Sequence, residues 1–304
     1  MERKSALIIP TYNAGELWKN VLEGISRQAG APDRKLVIDS GSTDGTPRLA
    51  REAGFEVVTI DKKDFDYGGT RQLGADHVKD CDILIYMTQD VVLADENALA
   101  ALAGAFADPK VGAAYGRQLP RIGATAIETH ARLFNYPPQS HVRDKSDIPK
   151  SGFKCAFFSD AFGAYRRAAH EEIGGFPLKV IFGEDSIAVG KMLMRGWKIA
   201  YVAESRALHS HGYTLPQEFR RYFDIGAFHD QHHWMLEAFG KLGGEGLKFV
   251  KSESAYLLKK APLHLPSAWI RTGAKWLGYR AGLRHAKLPL ERKRSWSMNC
   301  GYWK

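Results

Sequence analysis

The feature that most constrains the fold is an alternation of apolar runs with helical segments over the first 120 residues. The apolar runs occupy residues 5–12, 35–42, 55–61, 81–90 and 111–119. Between the first two runs, Leu17, Val21 and Ile25 recur at a spacing that places them on one face of a helix. Strands that alternate with helices build βαβ units, whose parallel sheet is covered by helices on both faces. We therefore predict an α/β fold with a Rossmann-like, mostly parallel sheet flanked by helices.

The rest of the chain divides into two further parts. The middle first carries loop-forming stretches such as YPPQS and KSDIPKSG, and then shows a helical pattern and a strand that ends in histidines. From Pro216 onward the sequence is helical, aromatic and basic. We therefore expect one α/β domain over residues 1–215, made of the halves 1–120 and 121–215, and a helical, basic C-terminal region over residues 216–304.

The positive charge of the chain is concentrated at its C-terminal end. The whole chain has a net charge of +9, yet residues 241–304 contain 14 Lys and Arg against 3 Asp and Glu, which leaves a net charge of −2 for residues 1–240. An anionic membrane surface, an anionic acceptor or nucleic acid would each be attracted by such a region, and a solvated basic face with no specific partner is the fourth interpretation. Because the sequence contains no nucleic-acid-binding motif, we expect no nucleic-acid partner.

The cysteines and the N-terminal sequence indicate a reducing compartment. Cys81, Cys155 and Cys300 are odd in number and widely spaced, which matches neither a disulfide framework nor a zinc site. The sequence MERKSALIIPTYN lacks the long apolar segment of a signal peptide, and no stretch reaches 18 apolar residues. We therefore expect a cytoplasmic protein without a membrane-spanning helix.

Four clusters of polar residues lie where the apolar runs end. They are residues 10–13, 39–45, 64–71 and 88–90. Taken singly, each cluster could be a turn or a helix cap; Asp90, for example, could cap the helix that follows it. The carboxyl ends of parallel strands meet at one edge of a sheet, where such folds bind their ligands. The four clusters together therefore indicate a ligand site at this edge.

These residues resemble a known enzyme family. The segments PTYN, VIDSGSTDGT and GGTR, the strand-end QD and the later GED are similar, in order and spacing, to those of the inverting glycosyltransferases of family 2, which have the GT-A fold. The resemblance extends from about residue 5 to about residue 212. The segment DFDYGGTRQLGA is similar to the bacterial rhamnosyltransferase branch, whose donor is dTDP-L-rhamnose. The resemblance implies that residues 1–120 bind the nucleotide and that residues 121–215 hold the acceptor and the catalytic group.

The resemblance implies a donor site built from the strand-end clusters. Its nucleotide-binding residues would be Pro10, Thr11, Tyr12, Asn13, Asp39, Ser40, Gly68, Arg71 and Gln89. Asp39 would accept a hydrogen bond from the imide N–H of thymine or uracil, which present the same edge. Arg71 would reach the nucleotide with its planar fork of donors, unless it is a surface arginine of its helix.

The resemblance also implies a divalent metal ion. Asp90 matches the last position of the family's Asp-x-Asp motif, whereas the first position is Thr88 here, which disfavours tight metal binding in the absence of donor. One carboxylate, diphosphate oxygens and water suit Mg²⁺ or Mn²⁺. His209 fits the position of the histidine that completes the site in the family, with His211 as the alternative; a purely structural role for one or both is a further interpretation.

The catalytic group implied by the resemblance is Asp185, as the general base. It would take the proton of an acceptor hydroxyl while that oxygen attacks the anomeric carbon opposite the leaving group, which inverts the centre in one step. Glu184 would contact the acceptor, although both acids could instead stabilise a helix N-terminus. Trp197 would line the acceptor pocket unless it is a core residue. His229 and His233, four residues apart, are a weaker candidate for a metal pair, and a structural or acceptor-facing role is favoured for them.

The sequence therefore predicts a glycosyltransferase that moves L-rhamnose from dTDP-L-rhamnose to a hydroxyl of a glycan or glycolipid in bacterial polysaccharide, lipopolysaccharide or O-antigen synthesis. A UDP-hexose donor and a non-catalytic nucleotide-sugar-binding protein on the same fold are the alternatives. The segment PTYNAGE lacks both the G-x-G-x-x-G of a dehydrogenase and the Gly-rich, basic loop of a nucleotidyltransferase. A lipid-linked acceptor would place the enzyme on the cytoplasmic face of the inner membrane, where the basic C-terminal region could bind the anionic surface.

Overall fold

Nine strands in the described part of the chain form one mixed sheet. The computed structural model describes residues 3–240 and 244–304. The strands are Ser5–Thr11 (β1), Arg34–Asp39 (β2), Glu56–Thr59 (β3), Ile83–Met87 (β4), Val92–Leu93 (β5), Val111–Leu119 (β6), His141–Arg143 (β7), Phe162–Arg166 (β8) and Lys198–Leu208 (β9). Their order across the sheet is β3-β2-β1-β4-β8-β6-β9-β5, and β7 pairs with β9 outside this path.

Helices flank the sheet and make up the C-terminal part of the protein. The α-helices are Leu17–Ser26 (α1), Thr46–Glu52 (α2), Tyr67–His77 (α3), Ala98–Gly104 (α4), Ala126–Asn135 (α5), Ile148–Ser151 (α6), Arg167–Glu172 (α7), Glu184–Met194 (α8), Leu215–Gln231 (α9), His233–Phe239 (α10), Glu245–Lys260 (α11), Leu265–Gly282 (α12) and Leu290–Trp296 (α13). Short 3₁₀-helices cover Lys62–Asp64, Ala105–Ala107, Lys145–Asp147, Gly152–Ala156, Pro262–His264, His285–Lys287 and Cys300–Tyr302.

The first four strands form the parallel half of the sheet. β1 pairs in parallel with both β2 and β4, and β2 pairs in parallel with β3. Alternate residues of β1 enter different hydrophobic cores: Ala6 and Ile8 pack into one core, and Leu7 and Ile9 pack into the other. Burial on both faces explains why β1, β2 and β4 are continuous apolar runs in the sequence, whereas β3, at the edge of the sheet, has no buried residue. The α/β fold is confirmed.

The second half of the sheet is mixed. β8 lies antiparallel between β4 and β6, and β6 pairs in parallel with β9. The short strands β5 and β7 both pair antiparallel with β9. The strand expected at 111–119 is therefore separated from the strand at 81–90 by β8. An apolar run reveals neither its direction nor its neighbour, so the sequence indicated a more parallel sheet than the structure contains.

A helix, α5, occupies a segment whose surroundings are typical of loops. The Thr125 hydroxyl accepts a hydrogen bond from the Glu128 amide, and the Glu128 carboxylate accepts one from the Thr125 amide. This reciprocal capping box fixes the start of the helix. The T-x-x-E signal is present in the sequence, but the proline-rich and glycine-rich stretches that follow it obscure the helix.

Helices α9 and α12 approach each other closely in the C-terminal part of the protein. A Cβ atom at Gly278 would lie 2.2 Å from the carbonyl oxygen of Phe219, and one at Gly282 would lie 2.1 Å from that of Phe223. Glycine at these two positions therefore lets the helix backbones meet. α11 in turn packs on α5 through aromatic contacts and a hydrogen bond.

The predicted boundary near residue 215 falls between the sheet and these helices. β9 ends at Leu208, and α9 begins at Leu215. The division into a domain over 1–215 and a separate region over 216–304 remains a prediction.

The sequence expectations about membrane spans and thiols can be compared with the structure. No helix within residues 3–240 and 244–304 combines the length and the apolar character that crossing a bilayer requires. Cys81 and Cys155 are buried, Cys300 is exposed, and all three are free thiols.

Candidate active site

The carboxyl edge of the parallel strands brings several of the predicted residues together. Thr11 and Asp39 are paired neighbours at the ends of β1 and β2, and the Thr11 hydroxyl donates to Asp39 Oδ1 at 2.8 Å. The Tyr12 amide donates to Gln89 Oε1 at 2.7 Å, and Gln89 Nε2 donates to the Tyr12 carbonyl at 3.1 Å. The ends of β1 and β2 and the residues that follow β4 thus form one continuous polar rim.

Asp39 organises the loop that follows β2. It is buried, and its two oxygens accept hydrogen bonds from the hydroxyls of Thr11 and Ser42 and from the amides of Gly41 and Ser42. Asn13 ties this loop to β1, because its amide donates to Ser42 Oγ at 2.8 Å. A carboxylate has about four acceptor positions, so a nucleobase N–H would have to displace one of these partners. The contact between Asp39 and a base remains a prediction.

The other residues of the rim differ in their exposure and in the hydrogen bonds that they make within the protein. Ser40 Oγ is buried and has no hydrogen-bond partner among the described residues. Tyr12 is exposed, and Lys62 Nζ lies 2.9 Å from its hydroxyl and 4.2 Å from its ring centroid. Pro10 lies within β1, paired with Ile38 of β2. Lys62 brings a positive charge to the rim and is not among the residues that the sequence indicated.

Asp90, His209 and His211 form a group that could hold a divalent metal ion. One ligand atom from each residue lies within 4.8 Å of the others. His209 Nε2 is 3.4 Å and His211 Nδ1 is 3.9 Å from Asp90 Oδ2. Thr88, at the first position of the motif, donates its hydroxyl proton to Asp90 Oδ1 at 2.7 Å, so it orients the carboxylate. The structure thus brings both candidate histidines to the predicted metal carboxylate.

The tautomer of His209 is fixed by Gln118, a residue that the sequence did not indicate. Arg132 has only donors and lies 2.7 Å from one amide atom of Gln118, which must therefore be the oxygen Oε1. The same oxygen lies 2.8 Å from His209 Nδ1, so Nδ1 carries the proton of the neutral imidazole. His209 Nε2 therefore carries no proton, and its lone pair lies near the Asp90 carboxylate. This nitrogen is buried and has no hydrogen-bond partner in the described structure. An imidazole lone pair and a carboxylate oxygen that face each other can both coordinate one cation, so these residues fit a metal ion.

The ionisation states of this group also suit a metal ion. Burial acts to raise the pKa of Asp90, but attraction to His209 in its protonated form and the hydrogen bond from Thr88 outweigh burial and lower that pKa well below the usual aspartate range. Burial lowers the pKa of His209 and lowers the pKa of His211 to about 4. At neutral pH the group therefore offers one carboxylate and two neutral imidazoles, the forms that bind a metal ion.

Arg121 is a cation already in contact with this group. Its Nη2 lies 2.8 Å from Asp90 Oδ2 and 2.5 Å from the Asp90 carbonyl oxygen. The guanidinium approaches the same carboxylate oxygen as His209, so it competes for the negative charge that a metal ion would use. The sequence did not indicate Arg121, because a lone arginine after a strand carries no recognisable signal.

Asp185 lies at the start of α8 in a cluster with Glu184, Arg71 and Asp160. Arg71 Nη1 is 2.8 Å from Glu184 Oε1, and its Nε is 3.1 Å from Asp160 Oδ2. Asp185 accepts hydrogen bonds from the amides of Asp160 (3.2 Å) and Ser186 (2.6 Å). Asp185 is only partly buried, whereas the other three members are almost completely buried. Asp185 is thus the acid of the cluster that a substrate can reach.

Burial raises the pKa of all three carboxyl groups in this cluster. It raises the pKa of Asp160 well above the aspartate range, although Arg71 acts in the opposite direction. It also raises the pKa of Glu184 and of Asp185, with the Ser186 amide opposing the change at Asp185. A carboxylate with a raised pKa takes up a proton more readily, which suits a general base.

Three of the residues predicted to contact the donor or the acceptor make packing or charge-balancing contacts within the protein. The guanidinium of Arg71 is engaged by Asp160 and Glu184, so it balances buried carboxylates and does not extend to the rim. Glu184, expected at the acceptor, is likewise buried against Arg71. Gly68 lets the start of α3 approach the chain at Pro177, because a Cβ atom there would lie 1.7 Å from the Pro177 carbonyl oxygen. A motif such as GGTR does not distinguish a ligand contact from a packing contact.

Trp197 and the histidines of α9 and α10 lie away from this site. Trp197 precedes β9, whose 11 residues carry His209 to the opposite edge of the sheet, about 30 Å further along the strand. Its indole N–H donates to Glu172 at 2.8 Å. The structure therefore does not bring Trp197 to the acceptor side, because its strand begins at the far edge. His229 is buried and His233 is exposed, and neither belongs to the metal-capable group of the described residues.

Residues 159–161 connect the metal-capable group to Asp185. Ser159 Oγ accepts a hydrogen bond from Gln118 Nε2 at 2.8 Å. The next residue, Asp160, donates its amide to Asp185, and the Ala161 carbonyl accepts from the amide of Thr88 at 3.2 Å. One three-residue segment thus contacts both ends of the site.

Comparison with known families decides what kind of protein carries this site. Residues 6–174 match the model of glycosyl transferase family 2. The chain belongs to this family. The match includes the polar rim, Asp90, Gln118 and the connecting segment 159–161, while Asp185 and the two histidines follow it in the chain.

Two bacterial proteins are similar to this glycosyl transferase family 2 chain over nearly its whole length. The O-antigen chain rhamnosyltransferase RfbN of Salmonella typhimurium is 48% identical over 301 residues, which cover 99% of this chain and 96% of RfbN. The O-antigen chain rhamnosyltransferase WbaN of Salmonella anatum is 42% identical, with 98% of this chain and 95% of WbaN covered. The similarity to both proteins therefore includes the basic C-terminal helices.

Solved glycosyltransferase structures share the fold. The mannosyltransferase PcManGT from Pyrobaculum calidifontis, solved in complex with GDP-Man and Mn²⁺, matches with a TM-score of 0.61 at 21% identity, covering 94% of this chain and 86% of that one. S. aureus TarS 1–349, solved in complex with UDP-GlcNAc, matches with a TM-score of 0.53 at 14% identity, covering 93% and 91%. The GT-A fold predicted from the sequence is thus confirmed.

Proposed function

We propose that the protein transfers L-rhamnose from dTDP-L-rhamnose to a hydroxyl group of a bacterial surface polysaccharide, with inversion at the anomeric carbon. The observation that carries this proposal is the identity of 48% and 42%, over nearly the whole chain, to two O-antigen chain rhamnosyltransferases. The segment DFDYGGTRQLGA supports the same donor. The acceptor would be a glycan or a lipid-linked oligosaccharide.

The donor would lie along the polar rim. The residues available to the nucleoside are Pro10, Thr11, Tyr12, Asn13, Asp39, Ser40 and Gln89. The exposed ring of Tyr12 would offer a base the face that Lys62 does not cover. The positive charge of Lys62 beside Tyr12 would attract the diphosphate.

Asp90 and His209, with His211 as a further ligand, would hold a divalent ion. Bound there, the ion would supply neutralisation of the negative charge that develops on the leaving nucleoside diphosphate. Two imidazole ligands favour Mn²⁺ over Mg²⁺, because Mg²⁺ prefers oxygen ligands. Gln118 would keep the lone pair of His209 directed at the ion.

Asp185 would act as the general base. Its carboxylate takes the proton of the acceptor hydroxyl while the hydroxyl oxygen bonds to the anomeric carbon and the bond from that carbon to the diphosphate oxygen breaks. The electron pair of the broken bond leaves with the nucleoside diphosphate, and attack from the opposite face inverts the centre. Arg71 would be a positioning residue, because it balances the charges of Asp160 and Glu184 around the base.

A lipid-linked acceptor would bring the enzyme to the cytoplasmic face of the inner membrane. The excess of 14 Lys and Arg over 3 Asp and Glu in residues 241–304 supports attraction to an anionic lipid surface.

Donor hydrolysis tests the proposed donor without knowledge of the acceptor. The protein is incubated with Mn²⁺ and, in turn, dTDP-L-rhamnose, UDP-glucose, UDP-galactose, UDP-GlcNAc and GDP-mannose, and the released nucleoside diphosphate is measured. We expect preferential cleavage of dTDP-L-rhamnose, which is lost in Asp90→Ala. Preferential cleavage of a UDP-hexose would overturn the rhamnose donor. If no donor is cleaved, calorimetric titration with the same five compounds decides which one binds.

A further inference from the structure

Large apolar side chains are exposed on the helix pair α11 and α12. We define the hairpin surface as Leu258, Leu263, Trp269, Ile270, Trp276 and Leu277, each of which is between 55% and 92% exposed. Trp269 joins the two helices, because its indole N–H donates to Ser254 of α11 at 3.1 Å. Single exposed apolar residues are ordinary, but five on one helix pair and Leu263 on the 3₁₀-helix that joins the pair, two of the six being tryptophans, indicate an interaction surface.

The exposed residues of α12 lie on one face of that helix. Trp269 and Trp276 are seven residues apart, as are Ile270 and Leu277, so the members of each pair lie about two turns apart on the same side. The opposite side of α12 packs on α9 at Gly278. Apart from the bond of Trp269 to Ser254, the exposed face is therefore turned away from the contact that α12 makes with α9.

Basic side chains surround the hairpin surface. The exposed basic residues on and next to the two helices are Lys251, Lys259, Lys260, Arg280 and Arg284. The guanidinium of Arg280 lies over the ring of Trp276, 5.8 Å from its centroid. Of the acidic residues of α11, Glu253 is buried and Glu245 pairs with lysines. The surface thus has an apolar centre and a positively charged rim.

We propose that the hairpin surface binds the headgroup region of a membrane that contains anionic lipids, with the two tryptophans inserted among the headgroups. Tryptophan and leucine side chains gain free energy by leaving water at this depth, and lysine and arginine are attracted by the anionic surface. A second copy of the chain fits less well, because a symmetric contact would oppose two positively charged rims. Nucleic acid would match the charge but not the exposed Leu263 and Ile270.

The hairpin surface is tied to the active site by contacts of both helices. Arg271 of α12 donates to the Tyr213 carbonyl at 2.5 Å, and the Tyr213 ring stacks on His211 with centroids 5.3 Å apart. Ser252 of α11 lies 2.9 Å from His130 of α5. Membrane binding would therefore hold the metal-capable end of the site at a defined height above the lipid, within reach of a lipid-linked acceptor. This last consequence rests on the proposed function.

Vesicle co-sedimentation of the full-length protein tests the inference. We expect strong binding at low salt to vesicles of phosphatidylglycerol and phosphatidylcholine, and much weaker binding to phosphatidylcholine alone. The double variant Trp269→Ala, Trp276→Ala should bind roughly 10-fold more weakly. In the double variant Lys259→Ser, Lys260→Ser, the affinity for anionic vesicles should fall about 5-fold for each positive charge that is removed. Leu178→Ala, an exposed apolar residue elsewhere on the protein, is the matched control and should bind as the wild type does.

Tryptophan fluorescence supplies a second readout. Addition of anionic vesicles should shift the emission to the blue. The double tryptophan variant should lose this shift while its circular dichroism stays that of the folded wild type. The inference is overturned if the wild type ignores anionic vesicles or if the tryptophan variant binds as well as the wild type. It is also overturned if mass photometry detects a dimer of the wild type that the tryptophan variant abolishes.

Donor hydrolysis separates this inference from the proposed function. All of the surface variants should cleave dTDP-L-rhamnose at the wild-type rate in solution. A protein that binds vesicles but does not recognise that donor would fail only the proposed function. One that cleaves the donor but does not bind vesicles would fail only the inference about the hairpin surface.

Discussion

Two aspartates at opposite ends of the site differ in what their surroundings do to them. Asp90 lies among donors and a guanidinium. Attraction to the protonated form of His209 and the hydrogen bond from Thr88 lower the pKa of Asp90 despite burial, so it remains negatively charged. Asp185 lies among other carboxyl groups, and burial raises its pKa, so it takes up a proton more readily. The same side chain suits an ion ligand in one place and a base in the other because the neighbouring groups differ.

The largest effect is expected at Asp185, the proposed general base. Asp185→Asn keeps the shape of the side chain and one of its two hydrogen bonds from neighbouring amides, but it cannot take up the acceptor's proton. We therefore expect kcat for transfer to fall about 10²–10⁴-fold. Donor affinity, measured by calorimetry, should stay within about twofold, because loss of a proton acceptor leaves the donor contacts in place. The exposed Asp76→Asn is the matched control. Transfer at the wild-type rate by Asp185→Asn would show that another group is the base.

A smaller effect is expected when the partner of His209 is removed. Gln118→Met leaves Nδ1 of His209 without its acceptor, so Mn²⁺ affinity should fall about 10–100-fold, as measured by electron paramagnetic resonance of free Mn²⁺. Gln118→Glu retains an oxygen for both Arg132 and His209 and should restore most of the affinity. Equal Mn²⁺ affinity of the methionine variant and the wild type would contradict this role.

Removal of Arg121 should act in the opposite direction. The guanidinium of Arg121 competes with the metal ion for Asp90 Oδ2. Arg121→Ala is therefore expected to raise the Mn²⁺ affinity of the donor-free protein by a few-fold, which corresponds to the free energy of one solvent-screened ion pair. The same resonance titration checks this, with the exposed Arg51→Ala as control. A lower affinity would mean that Arg121 holds Asp90 in its ligand geometry instead of competing for it.

The smallest expected effect on kcat at neutral pH comes from the protonation of Asp185. The working form of a base is the carboxylate, so kcat should rise with pH and reach a plateau above the pKa of Asp185. Because burial raises that pKa, the acid limb should lie above the ordinary aspartate value of about 4. A kcat profile at saturating donor measures the limb. If the residual activity of Asp185→Asn shows the same acid limb, the limb belongs to the titration of another group.

The polar rim could be predicted from the sequence because it depends on local order alone. Thr11, Asp39 and Gln89 each lie at or just after the end of an apolar run, and parallel pairing brings those ends to one edge. Asp90 and His209 were predicted for the same reason and through the family resemblance. The roles assigned to them remain predictions, although the structure brings them within 3.4 Å of each other.

The contacts around these residues could not be predicted, because they depend on which strand lies beside which. Gln118 ends near Ser159 only because β8 is inserted antiparallel between β4 and β6. Arg71 belongs to a motif, yet its position against Asp160 and Glu184 follows from the packing of α3 near α8. Trp197 is near a motif in the sequence, yet it lies at the end of β9 opposite to His209 and the candidate active site.

The segment 159–161 contacts both ends of the site, so we expect the binding equilibria at the two ends to be coupled. Ser159 is bonded to the amide that fixes His209, and the next peptide group is bonded to Asp185. An ion that orders the first contact also restricts the backbone that presents the second, so filling one end of the site would favour the productive arrangement at the other. By thermodynamic reciprocity, an acceptor seated against Asp185 would then tighten the binding of the ion and its diphosphate by the same factor. Such coupling would keep hydrolysis of the donor slower than sugar transfer until both substrates are bound.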